Sequence, residues 1–339
     1  MVGYYSEESM SGPTVISTFS GPGGSSLGYE RAGCDVRVAL DCAPDKFSNA
    51  IPETYRRNHP ETTFLEQDAR ETTSGELLRA AGLEKGELDI LDGSPPCSPF
   101  SGANTRKSWG DHESGTLFDR YTYFIEEIQP RTFVAENVPR LAQGDTKGYY
   151  KRLCQNLRNA GYNLQVQNID AAYLGAPQHR RRLMFIGVRN DIGQPPTIKP
   201  TKRPTTVSEA WDGLKDDPDA VERAKKRAER QEVYQHIKKL PPDASTSVAD
   251  VRDDGKEWGF GRMRLSLRKP APTLLTDIKE SIHPTEDRYL TPREAARLVG
   301  LPDTYKLPNQ YAGAFECATR CLPPILLEAI ANELQETVL

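Results

Sequence analysis

TVISTFSGPGGSSLGYERAG (14–33) is the stretch that decides the fold. Its first six residues, TVISTF (14–19), are β-branched or apolar enough for a buried strand. They run straight into glycines at 21, 23 and 24, and a helical pattern follows at once. Glycines let the backbone turn sharply and approach a ligand closely, and they set a helix N-terminus at the turn. Asp41 ends the next strand run, where an acid can accept hydrogen bonds from ribose hydroxyls. Alone, such a turn reads equally as a structural corner between strand and helix. Asp68, in FLEQDAR (64–70), is either an acceptor for an adenine amine or a plain loop aspartate.

Working outward, short β-branched runs recur at VRVALD (36–41), LDILDG (88–93), TFVAEN (132–137), LQVQNI (164–169) and LMFIGVR (183–189). Helical stretches such as LFDRYTYFIEEI (117–128) and YYKRLCQNLRNAG (149–161) lie between them. This alternation predicts an α/β fold with a parallel sheet covered on both faces. Residues 1–13 read as a tail and 194–206, rich in Pro, Thr and Lys, as a linker. Residues 219–239 read as a helix polar nearly all round, hence solvated, with a DNA-facing role as the alternative. Residues 241–262 are irregular; helical patterns return at 292–300 and at 323–338, where prolines open the last helix.

The bulk numbers suit this picture. The chain has 339 residues, 37% hydrophobic and 27% charged, enough for an α/β core and a smaller second domain. Apolar runs are too short to span a membrane, and the start of the chain lacks a secretory pattern. The net charge of −4 rules out a chain basic all over but leaves room for a local cationic face that binds nucleic acid. The six cysteines, at 34, 42, 97, 154, 317 and 321, form no CxxC pair and fit reduced thiols in a cytoplasm, without a metal site. Cys317 and Cys321 read as helix-packing thiols.

A sharper signal sits in LDILDGSPPCSPFSG (88–102). Cys97 follows a buried strand, at the edge where ligands bind in parallel sheets, behind two stiffening prolines. The stretch from Ser98 to Gly115 lacks an apolar period, carries Arg106, Lys107 and Trp109, and is long enough to close over a polyanion. The run AENVPR (135–140) sets Glu136 at the same sheet edge as Cys97, with Asn137 beside it to fix the surrounding loops. In GAPQHRRRLMFIGVR (175–189), strand alternation points Arg180 and Arg182 one way and Arg181 the other.

With these motifs in order, the chain resembles the cytosine-5 DNA methyltransferase family over residues 14–189 and roughly 262–339. The cofactor motif is matched by Phe19, Gly21, Gly23 and Gly24, and the Pro-Cys nucleophile motif by Pro96 and Cys97. The Glu-Asn-Val motif is Glu136, Asn137 and Val138; the Gln-x-Arg-x-Arg motif is Gln178, Arg180 and Arg182; and RLSLRKPAPTLLT (264–276) resembles a late motif.

The resemblance implies a Rossmann-like sheet that binds S-adenosyl-L-methionine, formed by residues 14–190 and 311–339, with a target-recognition domain and hinge at 191–310. It implies double-stranded DNA as substrate, and a cytoplasmic, nucleoid-associated protein of prokaryotic or phage type with no obligate protein partner. Cys97 would attack carbon 6 of a flipped cytosine, Glu136 would hold a proton at N3 and need a raised pKa, Arg182 would bind O2, and Arg180 would brace the site.

One departure stands out. Thr319 and Arg320 occupy the place where the family carries Gly-Asn, before the final helix and near the transferred group. An arginine there would repel the cofactor's sulfonium. Either Arg320 points away to solvent or a DNA phosphate, or it weakens the enzyme, or it pairs with a carboxylate on the transferred group. The last reading makes carboxy-S-adenosyl-L-methionine the cofactor and 5-carboxymethylcytosine the product. A non-catalytic DNA-binding homologue and an RNA cytosine-5 methyltransferase are the competing classes.

Overall fold

The computed structural model describes residues 12–42, 50–96, 113–215, 217–250, 262–277 and 281–339, with the backbone alone at 113–116 and 249. Cys97, Arg106, Lys107 and Trp109 lie outside the described residues. The elements run β1 (Thr14–Thr18), α1 (Gly24–Arg31), β2 (Asp35–Asp41), α2 (Ala50–Asn58), β3 (Thr63–Glu66), α3 (Ser74–Ala81), β4 (Ile90–Gly93), α4 (Glu113–Ile128), β5 (Thr132–Asn137), α5 (Lys147–Asn159), β6 (Tyr162–Asp170) and β7 (Arg181–Arg189). There follow α6 (Val207–Ala210), α7 (Pro218–Glu229), α8 (Tyr234–Ile237), β8 (Met263–Arg264), β9 (Ser281–Ile282), α9 (Pro292–Val299), α10 (Tyr311–Arg320) and α11 (Pro324–Thr337). No helix among the described residues is long and apolar enough to cross a membrane.

The seven-stranded sheet has the order β3-β2-β1-β4-β5-β7-β6. Alternation along each strand sorts the core into two layers. Ile16, Leu91 and Phe133 face α3, α4 and α5, whereas Val15, Ile90 and Val134 face α1 and α11. A third core forms where Val207, Leu265 and Leu290 pack with α9, with Tyr311 and Phe315 of α10 and with Cys321 just after it.

Three expectations need correction. The sheet is mixed, because β7 runs antiparallel to both β5 and β6. The segment between β6 and β7 has no crossover helix, and without one the chain returns in the opposite direction. The polar stretch 219–239 is two helices, and α7 is not solvated all round: Ala220, Ala224 and Ala228 are buried, one turn apart. Alanine adds so little hydrophobicity that the surrounding charges hid this face. Finally, α4 begins at Glu113, inside the stretch read as loop to Gly115. The short half-exposed edge strand β3 and the helix α10 carried no pattern that singled them out.

Candidate active site

The turn after β1 is built from unusual backbone. Gly21 and Gly23 have φ of 56° and 102°, and Phe19, a bulky residue, has φ of 52°. A left-handed conformation costs a non-glycine residue about 1–2 kcal/mol; here it sets Phe19 in the wall of a cavity of about 420 Å³. Gly23 precedes α1 without any side-chain cap; the Gly24 amide bonds to the Cys321 sulfur, and the amides that follow it are left for other partners. Gly23 and Gly24 serve packing: a Cβ on Gly23 would lie 2.3 Å from His59 Nε2, and one on Gly24 would lie 2.5 Å from the Leu322 carbonyl oxygen.

Asp41, at the end of β2, lines the same cavity and accepts a 2.6 Å hydrogen bond from the Gly21 amide. Burial pushes its carboxyl up to about 6, opposed by the amides of Gly21 and Cys42 and by the charge of Arg320. Asp68 also lines the cavity, but both of its oxygens accept from Arg70, which holds its carboxyl below the usual range. An adenine amine would therefore compete with that guanidinium. Leu40, Ile51, Leu117 and Leu322 supply apolar wall.

The reversal of β7 brings further charged side chains to this cavity. Its first residues lie beside the last residues of β5, with Asn137 opposite Leu183 and Glu136 opposite Met184. Glu136 and Arg182 form an ion pair, both largely buried, and both face the cavity. Arg181, between the two lining arginines, is exposed. Arg180 is buried and donates to the carbonyl oxygens of Leu274 (3.5 Å) and Thr319 (3.3 Å). Burial pulls its pKa down to about 9, with repulsion from Arg182 adding and Glu136 opposing. Gln178 is fully buried; it donates to the Leu298 carbonyl and accepts from the Leu274 amide, so it is structural. Asn137 donates to the Pro95 carbonyl at 3.4 Å and accepts from the Val138 amide at 2.9 Å. Ser94, Pro95 and Pro96 complete the wall, and Cys97 is the next residue in the chain.

Arg320 also lines the cavity. Its guanidinium, 41% exposed, is tied to Glu316 one turn earlier at 2.6 Å and 2.8 Å. Cys317 and Cys321 are buried thiols, pushed up to about 11 and about 12 by burial.

The sequence profile of the C-5 cytosine-specific DNA methylases matches residues 13–336. The chain belongs to that family. It is 28% identical to the Type II methyltransferase M.XorII of Xanthomonas oryzae pv. oryzae, over 97% of this chain and 86% of that one. It is 29% identical to M.FnuDI of Fusobacterium nucleatum, over 96% and 94%. A crystal structure of a DNA modification methyltransferase encoded in an Escherichia coli prophage superposes with a TM-score of 0.74, at 23% identity, over 96% of this chain and 99% of that one. The crystal structure of Spodoptera frugiperda DNMT2 gives 0.65 at 14% identity, over 93% and 97%. The fold is thus the Rossmann-like one of the S-adenosylmethionine-dependent C5 methyltransferases, and this DNA (cytosine-5) methyltransferase draws on S-adenosyl-L-methionine.

The methyltransferase carries a further buried acid that was not singled out in the sequence. Asp92, in β4, accepts from Ser17 Oγ at 2.7 Å and from Tyr29 OH at 3.1 Å, tying β1 and α1 to β4 beneath the glycine turn. An acid inside the apolar run LDILDG was the available signal. Burial pushes its carboxyl up to about 6, against the hydroxyls of Ser17, Tyr29 and Ser25. The unfolded chain releases this proton near 3.8 and the folded chain near 6, so Asp92's contribution to stability is full below 3.8 and lost as pH rises to about 6. Asp92→Asn, which cannot ionise, is therefore expected to gain on wild type through that window, by on the order of 3 kcal/mol in total. Urea unfolding of both proteins across the window tests this; parallel pH curves would refute it.

Proposed function

We propose that the protein transfers a one-carbon group to carbon 5 of a cytosine flipped out of double-stranded DNA, through a covalent adduct of Cys97 with carbon 6. The observation that supports this most is convergence. The Glu136–Arg182 pair, the glycine turn with Asp41, and Pro96, the residue before Cys97, all open on one cavity.

The residues present fit the cofactor. An acid at the end of β2 suits a ribose diol, the apolar wall suits an adenine, and the uncapped start of α1 offers amides. When bound, S-adenosyl-L-methionine would supply a methyl group made electrophilic by the sulfonium: carbon 5 would take that methyl, and S-adenosyl-L-homocysteine would leave. Phe19, Gly21 and Asp41 would hold it directly, with Gly23 and Gly24 allowing the close packing around it. The Cys97 thiolate bonds to carbon 6 of the base, and electron density moves to carbon 5. Glu136 holds a proton at N3, which draws that density and eases the attack. Arg182 donates to O2, and Arg180 braces the site through the backbone oxygens of Leu274 and Thr319. Once carbon 5 carries the new group, loss of its proton to a base re-forms the 5,6 double bond, breaks the carbon–sulfur bond and frees Cys97.

One observation favours a second reading. Arg320 is not directed away from the site; it lines the cofactor cavity, and its charge reaches Asp41. A guanidinium there can bind a carboxylate in a two-pronged geometry. The cofactor would then be carboxy-S-adenosyl-L-methionine and the product 5-carboxymethylcytosine. Incubating duplex DNA or tRNA with purified protein and each cofactor, followed by nucleoside mass spectrometry, separates the readings. 5-Methylcytosine in duplex DNA, lost in Cys97→Ala, is the expected result; full activity in that variant would overturn the adduct. 5-Carboxymethylcytosine, abolished in Arg320→Asn while 5-methylcytosine persists, establishes the second reading, and methylation alone dismisses it.

A further inference from the structure

The helix α7 carries a cationic stripe that the site chemistry does not use. Ala220, Ala224 and Ala228 seat the helix on the protein. Beside that seat Arg223, Lys226, Arg227 and Arg230 occupy positions i, i+3, i+4 and i+7, a single face of a helix. They and Gln231 wall a groove of about 430 Å³, with Tyr311 of α10 as its apolar floor. The Arg227 guanidinium sits over the Tyr311 ring, 5.3 Å from its centroid, which holds it in place along the groove. A second cavity of about 450 Å³ shares Arg223 and Tyr311 and adds Lys215 and Arg293 along with the acid Asp217, so three of its four charged lining residues are cations.

Acids are interspersed on and beside the same helix, namely Asp217, Asp219, Glu222, Glu229 and Glu232, and what marks the stripe is that its four cations share one face. Arg223 meets Asp217 at 3.5 Å and Lys226 meets Glu222 at 3.2 Å, both at exposed positions where an ion pair is worth little and is readily exchanged. Neither Arg227 nor Arg230 has a carboxylate partner among the described residues. In a chain with a net charge of −4 such a stripe is a local feature, not a share of a general basicity.

We infer that this stripe is a docking surface for the phosphodiester backbone of duplex DNA outside the target base, independent of sequence. The shape favours a polyanion over a single small anion. A lone phosphate calls for converging, sheltered donors, whereas these side chains are exposed and strung along a helix. From Arg223 to Arg230 the axis rises about 10 Å, and a DNA strand presents a phosphate every ~3.4 Å of its own axis. The stripe therefore spans two to three phosphates. Tyr311 begins the helix whose last residue, Arg320, lines the active-site cavity, so the groove and the site lie at opposite ends of α10. DNA held at the site can then engage the groove with its flank.

The test is the salt dependence of DNA binding by the full-length protein. Each phosphate contact contributes about 0.9 to the slope of log affinity against log salt. The triple variant Arg223→Gln, Arg227→Gln, Arg230→Gln is expected to lower that slope by about 2–3, equally for target-containing and random long duplexes. A duplex too short to leave the target site should show no change, and transfer at saturating DNA should match wild type. That last readout separates failure of the docking surface from failure of the catalytic reading. Because the triple variant could fold poorly, Glu222→Lys provides the opposite arm: it lengthens the stripe and should steepen the slope. Unchanged slopes in a folded triple variant, or in Glu222→Lys, overturn the proposal.

Discussion

Replacing Glu136 with glutamine is expected to slow group transfer by about 10²–10⁴-fold, the usual yield of a positioned proton donor. Glutamine keeps the volume of the side chain at the end of β5 and can still donate a hydrogen bond toward N3, but it cannot deliver or hold a proton there. It also removes the carboxylate that Arg182 pairs with across the two antiparallel strands. Arg182 then remains free for its proposed contact with the base, so DNA affinity should change far less than turnover. Single-turnover transfer at saturating DNA and cofactor measures the chemical step, and a binding titration measures the rest. A loss of the same size in DNA affinity, with the chemical step intact, would place Glu136 in binding and not in catalysis. The wild-type cofactor affinity should persist, because Asp41 and the glycine turn belong to other strands.

Gly28→Val should also be costly, and here the effect is on stability. Gly28 lies in the middle of α1, where its backbone approaches the start of α11. A Cβ at that position would lie 2.4 Å from the Pro324 carbonyl oxygen and 2.8 Å from Leu327 Cβ. Neither is the end of a flexible side chain, so α11 itself must move. Overpacking of this kind costs about 1–3 kcal/mol or more, which in a domain of this size lowers Tm by about 2–4 °C per kcal/mol. Because Cys321 and Leu322, just before α11, line the cavity, the shift should also weaken cofactor binding. Thermal melting with and without S-adenosyl-L-methionine reads both effects. A variant that melts with wild type and is stabilised equally by cofactor would show that the two helices can separate freely at this point.

The strands and the candidate chemistry were legible locally. β5 matches TFVAEN residue for residue, and β1, β2 and β7 match their runs to within one or two, because β-branched alternation is a property of the chain itself. The residues of the cavity end of β5 and the start of β7 were likewise readable from motif order. Features that rest on small or half-exposed residues were not. β3 exposes both of its ends, and the seat of α7 is three alanines, so neither carries enough hydrophobicity to mark a face. Gly28 looked like any helix glycine, because the backbone it admits comes from the other end of the chain.

Sequence by itself therefore determined the period of the strongly patterned elements, the family and the set of side chains proposed for the chemistry, since these depend on residue type and spacing alone. Direction and proximity were left to the tertiary structure. Only the antiparallel course of β7 sets Arg182 against Glu136, only the packing of α10 turns Arg320 toward the cavity that holds Asp41, and only the fold buries Asp92 and Asp41 deeply enough to lift their carboxyls to about 6. Each of these arises from long-range neighbours that change the dielectric and the partners of a side chain, and no local pattern encodes them.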